Sequence, residues 1–259
     1  MMRSIAPIVS ICLLSAGPAR AHFQMLLPAS PSGSSEQEVA VVYQWGHPFE
    51  HQLFDAPRPE AVIAVTPDGR RIDLSKSLQK VAIAGEGGKK VAAYRIAYTP
   101  QRRGDHLLAL TTPPIWMPDE EMFFQDTVKV VYHVKTQRGW DTNARLPFEL
   151  VPLTRPYGLQ PGLAFQAQAI FDGKPLAGAL VEVERYNAET PKELPPDEQI
   201  TRQVKTDPNG VFTCTPTEPG WWSVTAMHQS GQKEREGKMY PIRRRATLWV
   251  YVDEAPARK

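Results

Sequence analysis

A chain of 259 residues with 30 basic and 28 acidic side chains is long enough for two domains and too evenly charged for a nucleic-acid binder. Its one basic cluster, Arg243-Arg244-Arg245, reads as a solvated face. No run approaches the roughly 20 apolar residues of a membrane-spanning helix, so the chain itself is not expected to span a membrane.

Met1–Ala21 reads as an export signal: Arg3 supplies the charged start, Ile5–Ala16 the apolar run, and Ala19 and Ala21 the small residues that signal peptidase reads. Ile11 ahead of Cys12 does not suit a lipid anchor. Cleavage after Ala21 takes two of the 30 basic residues, Arg3 and Arg20, and balances the 28 acidic ones. It leaves about 240 residues, with Cys214 as the one cysteine, so no internal disulfide is expected in the periplasm. It also leaves His22 at the amino terminus. An α-amine has a reference pKa of about 7.7–8.0, so it and the imidazole can chelate one metal ion.

The remainder predicts an all-β protein: short runs rich in Val, Ile, Tyr and Phe between turn signals, with 25 prolines and no sustained helical period. In the first half the expected strands are Glu38–Gln44, Ala61–Thr66, Ala92–Tyr98, Asp105–Thr111 and Thr127–Thr136, with a tight turn at Pro67-Asp68-Gly69. In the second half, Ala164–Phe171 and Ala179–Tyr186 alternate around Asp172-Gly173-Lys174-Pro175, with Glu182 and Glu184 expected on the wet face. A Pro- and Glu-rich loop and strands at Thr201–Thr206, Val211–Thr215, Trp221–His228 and Ala246–Val252 follow, the order of a small Greek-key sandwich. Turn residues over Pro152–Gly162 place the boundary there. The expectation is a signal peptide over 1–21 and two tandem antiparallel β-sandwiches, immunoglobulin-like or transthyretin-like, over 22–153 and 154–259.

Three features of the first domain can carry chemistry. The first is His22, followed by apolar residues that ask to be packed. The second is Gly46-His47-Pro48-Phe49-Glu50-His51. Read literally it is the H-x-x-E-H signature of a zinc protease, but that motif works on a helix, which Gly46 and Pro48 oppose. A loop presenting His47, Glu50 and His51 to a metal is the looser reading. The third is Pro118-Asp119-Glu120-Glu121, whose carboxylates, combined with imidazoles, suit nickel, cobalt or zinc. His106, His133 and His228 sit in strand-like alternation and read as structural, and Met25, Met117 and Met122 as packing. Nucleophile-elbow, phosphate-loop and dinucleotide fingerprints are absent from the sequence.

The segments "AHFQMLLPAS", "GHPFEH", "PIWMPDEEMFF", "VPLTRPYGLQPGLAFQAQAIFDGKPLAGALVEVERYN" and "DPNGVFTCTPTEPGWW" resemble a particular exported family. These are the periplasmic components of nickel and cobalt uptake systems of the energy-coupling-factor type, which share a domain of unknown function. The resemblance runs from His22 to about Val252. It implies a two-domain β protein with a transthyretin-like or carbohydrate-binding-like second domain. The implied role is capture of Ni²⁺ or Co²⁺ for membrane-embedded transporter subunits. It further implies metal ligands at His22, His47, Glu120 and Glu121. Where relatives carry a histidine after the "FF" stretch this chain has Asp126, and His51 is an additional imidazole.

The leading expectation is therefore a periplasmic metal-binding protein, not an enzyme, coordinating nickel or cobalt, with zinc and copper as alternatives. Its ligands would be the α-amine and ring of His22 together with His47 and a carboxylate or His51. A second reading is a binding or adhesion module for polysaccharide or peptide, with Trp221 and Trp222 as stacking platforms. A third is a copper enzyme built on an amino-terminal histidine brace.

Overall fold

The computed structural model describes residues 22–255; the expected signal peptide lies outside them. Alternating and continuous apolar runs fold as strands throughout, with only short helical turns such as Pro118–Glu120 and Asp197–Ile200. The first half contains β1 (Phe23–Pro28), β2 (Val39–His47), β3 (Gln52–Phe54), β4 (Ala61–Val65), β5 (Arg71–Asp73), β6 (Leu78–Ala84), β7 (Lys90–Tyr98), β8 (Gly104–Thr111), β9 (Ile115–Met117) and β10 (Met122–Val134). Then come β11 (Phe148–Pro152), β12 (Phe165–Phe171), β13 (Lys174–Pro175), β14 (Leu180–Arg185), β15 (Arg202–Lys205), β16 (Val211–Cys214), β17 (Gly220–Arg235) and β18 (Lys238–Val252).

Three sheets result. The first runs β1-β2-β7-β6 with β3 on β2, and the third joins β11, β12, β13 and β16. Between them lies a nine-stranded sheet, β15-β14-β17-β18-β10-β8-β4-β5 with β9 on β10. Its central pair, β10 with β18, is parallel, whereas the other strand pairs are antiparallel. This sheet crosses the Pro152–Gly162 segment, and β11, which precedes that segment, pairs with β12 beyond it.

β18 explains how one sheet serves two cores. Trp249 packs into the cluster between the first and second sheets, with Tyr43, Val128 and Val130. Ala246, Leu248, Val250 and Val252 point the other way, into the cluster with Phe165, Phe212 and Trp222. Burial on both faces accounts for the nearly unbroken apolar run over 246–252. Cys214 is free and buried in that second cluster. Among the described residues no helix is long and apolar enough to cross a membrane.

Candidate metal centre

β1 is an edge strand with every residue buried, apolar but for Gln24, and it zips antiparallel onto β2. Its register pairs Phe23 with Gly46 and, one step on, sets His22 opposite His47. On the other side of β2, His47 faces Gln52 of β3. Residues directly opposite in a sheet share a face, so His22, His47 and Gln52 form one row across three strands. The two imidazoles meet edge to face with centroids 4.6 Å apart. Trp45 and Phe54 pack beside them, the Phe54 ring lying 5.3 Å from each imidazole. His47 is 4% exposed, so this is a dry, aromatic-walled corner rather than a surface pair. Gly46 is needed for it: a Cβ there would sit 2.0 Å from the Gln52 carbonyl oxygen and push β3 away.

Arg245 ties the chain's first described residue down. It donates to the His22 carbonyl oxygen and forks onto Asp126 through Nε (2.6 Å) and Nη2 (3.0 Å). The parallel register makes Asp126 its direct neighbour. The guanidinium also stands over the Phe124 ring at 4.4 Å. Asp126 accepts in turn from Gln24, whose side-chain oxygen accepts from the Tyr43 hydroxyl, while the Trp249 indole donates to the Gln24 carbonyl. The expectation of a solvated arginine face fails at this residue. Arg245 is 3% exposed: it shares a face of β18 with the half-buried Arg243, but the register with β10 sets it beside the buried Asp126.

The Pro48–His51 turn docks on the second half of the chain. The Asn187 amide donates to the Pro48 oxygen, its side chain donates to the Phe49 oxygen, and its carbonyl meets His51 Nδ1 at 2.9 Å. His51 itself adopts a positive φ of 53°. Position i+4 therefore lies on a tight turn, not a helix, and the zinc-protease reading has no geometry to stand on. Glu184 closes this junction from beneath, accepting from the Phe49 amide (3.1 Å) and the Thr201 hydroxyl (2.7 Å).

Burial pushes the Glu184 carboxyl up to about 8, against the lowering effect of those two hydrogen bonds. The folded protein thus holds this proton more tightly than the unfolded chain, whose glutamate titrates near 4.5. Its contribution to stability is complete below pH 4.5, declines as pH rises, and is lost above about 8. Urea unfolding at a series of pH values should therefore show wild type losing stability relative to Glu184→Gln across that window. The loss should reach a few kcal/mol as an order of magnitude, since each tenfold difference in proton affinity is worth about 1.4 kcal/mol. Parallel pH profiles for the two proteins would contradict this assignment.

Of the six side chains expected to bind metal, the structure brings two together, His22 and His47. His51 is engaged by Asn187, and Glu50 shares its turn. Glu120 forms an ion pair with Arg243 at 2.5 Å on the β9–β10 connection, where Glu121 takes a left-handed conformation with φ 49°. Among the described residues no three His, Cys, Asp or Glu side chains gather closely enough to hold an ion. Among these residues, neither a carboxylate nor His51 joins the two histidine rings, which are the expected side chains that meet. Asp126 is spent on Arg245. Trp221 and Trp222 are 9% and 2% exposed and pack into the two cores, so neither is a stacking platform. His106 lies between the Tyr98 hydroxyl and the Arg102 carbonyl, and His133 on Asp105 beside Tyr157. Sequence reading missed Gln52 and put Arg245 and Glu184 on wet faces, whereas they are 3% and 2% exposed. None belongs to a motif, and only strand register reveals what each faces.

Among solved structures, the chain is similar to trypsin-activated alpha-2-macroglobulin from Escherichia coli, at 12% identity over 91% of this chain and 16% of that one, with a TM-score of 0.25. A mutant alpha-2-macroglobulin from Salmonella gives 16% identity over 96% of this chain and 16% of that one, with a TM-score of 0.26. The Yersinia pseudotuberculosis adhesin InvE gives 12% identity over 87% and 58%, with a TM-score of 0.20. The chain thus spans only 16% of the length of these two macroglobulins. No curated protein matches it. A family model does match, over residues 19–230, from ahead of β1 into the long β17: the chain belongs to the family of the domain of unknown function DUF4198.

Proposed function

We propose that this is an exported, periplasmic protein that binds one divalent transition metal ion, nickel or cobalt, and passes it to a membrane-embedded transporter. It acts as a carrier and not as an enzyme. The observation that carries this reading is the contact of the His22 and His47 rings at 4.6 Å on adjacent strands. Once cleavage follows Ala21, the α-amine and Nδ1 of His22 close a six-membered chelate ring with a metal, and His47 adds a third nitrogen from the facing strand. The resemblance to nickel and cobalt uptake components supplies the choice of metal and partner.

The residues present fit such an ion. Three nitrogen donors suit Co²⁺, Ni²⁺, Cu²⁺ and Zn²⁺, with affinity rising from cobalt through nickel to copper, so supply decides which ion is carried. The aromatic wall of Trp45 and Phe54 limits water around the donors. Arg245 fixes the His22 backbone, so little terminal freedom remains to be lost on binding.

Calorimetric titration of Ni²⁺ and Co²⁺ into correctly processed protein tests the reading. One ion per chain is expected, with nickel tighter than cobalt and both lost in His47→Ala. Equal binding by wild type and His47→Ala would overturn it.

A further inference from the structure

The geometry points to Gln52 and Glu86 as positioning residues that lock His47 with its proton on Nδ1 and its lone pair on Nε2. The register sets Gln52 directly opposite His47. His47 Nδ1 lies 2.9 Å from Gln52 Oε1, and Gln52 Nε2 donates to Glu86 Oε2 at 2.8 Å. Glu86 stands on the turn between β6 and β7, 34 residues along the chain from Gln52.

A carboxylate only accepts hydrogen bonds, whereas a carboxamide has one donating and one accepting end. Glu86 therefore dictates which way the Gln52 amide lies: its NH₂ faces the carboxylate and its oxygen faces His47. That oxygen can only accept, so Nδ1 must donate, and a neutral imidazole protonated on Nδ1 is basic at Nε2. The reversed amide would set its oxygen against the Glu86 carboxylate, two acceptors face to face. Gly46 makes the relay possible, since a side chain there would drive Gln52 off the row.

The tautomer follows from these contacts alone; its consequence for affinity rests on the metal-binding reading above. A histidine whose tautomer is already set offers Nε2 to a cation without first moving a proton. Removing such outer partners typically costs about 10- to 100-fold in affinity.

The test is ¹⁵N NMR of the imidazole nitrogens in processed, metal-free protein at neutral pH, followed by Ni²⁺ titration. Wild type should show His47 protonated at Nδ1 and bare at Nε2. Glu86→Gln, a substitution at an exposed turn, should give mixed tautomers, because a glutamine can present either end to Gln52. It should also weaken Ni²⁺ about 10- to 100-fold. Gln52→Leu should do the same, and Glu86→Asp should restore the lock in part. A wild-type His47 protonated at Nε2, or a Glu86→Gln variant with unchanged tautomer and affinity, would overturn the relay. A locked tautomer in a protein that takes up no Ni²⁺ would support the relay and overturn the metal reading.

Discussion

Ni²⁺ affinity is expected to fall at least about a hundredfold, roughly 2.7 kcal/mol, when a single residue is left ahead of His22. The reason lies in the nitrogen. A terminal α-amine, with a reference pKa of about 7.7–8.0, gives up its proton to a metal near neutrality. A peptide nitrogen in the same place does not, so the chelate ring is lost and two separate imidazoles remain. The loss should come without unfolding. Arg245 grips the His22 carbonyl, and β1 pairs with β2 from Phe23 onward, whether or not another residue precedes them. Matched thermal melts with mismatched Ni²⁺ isotherms are therefore the expected signature. Equal affinities would mean that the terminal nitrogen is not a ligand.

Arg245→Ala is the substitution expected to cost most in stability, about 3–5 kcal/mol, the range for breaking a buried ion pair by removing one partner. Arg245 and Asp126 are 3% and 1% exposed, and the arginine holds its partner with a two-pronged contact at 2.6 and 3.0 Å. Truncation leaves a carboxylate buried without compensation and the β1 backbone without its anchor. Asp126→Ala should be similarly costly for the converse reason. The double variant should cost clearly less than the two single losses combined, since neither charge then remains stranded. Denaturant unfolding of the three variants measures this. Additive losses, or single losses below about 1 kcal/mol, would show that the pair contributes little.

The fold was legible where short apolar runs stand between turn signals. The runs at 61–66, 92–98 and 105–111 are such segments, and each lies within a residue or two of a strand. β1 escaped because it is buried on both faces and has no alternation to read. β17 and β18 extend well beyond 221–228 and 246–252, an extension hidden in the sequence because their shared ribbon is polar, charged and rich in turn-like residues. The parallel pairing of β10 with β18 has no local signal at all. It joins residues more than a hundred positions apart, and it is what converts two halves in sequence into one continuous sheet.

The candidate site divides along the same line. His22 and His47 were legible because each side chain has metal chemistry that a sequence displays. Glu50, His51, Glu120 and Glu121 have that chemistry too, but proximity in sequence misleads in a β fold: a turn or hairpin only a few residues long can point its side chains away from one another. Arg245 illustrates the converse. Strand periodicity puts Arg243 and Arg245 on one face, and nothing short of the register with β10 says that Asp126 awaits the second of them.

The most direct test is X-ray absorption on Ni²⁺-loaded, correctly processed protein, read beside its crystal structure. The expected result is one nickel bound by the α-amine and Nδ1 of His22 and by Nε2 of His47. Nickel bound elsewhere, or coordination lacking the terminal amine, would contradict it.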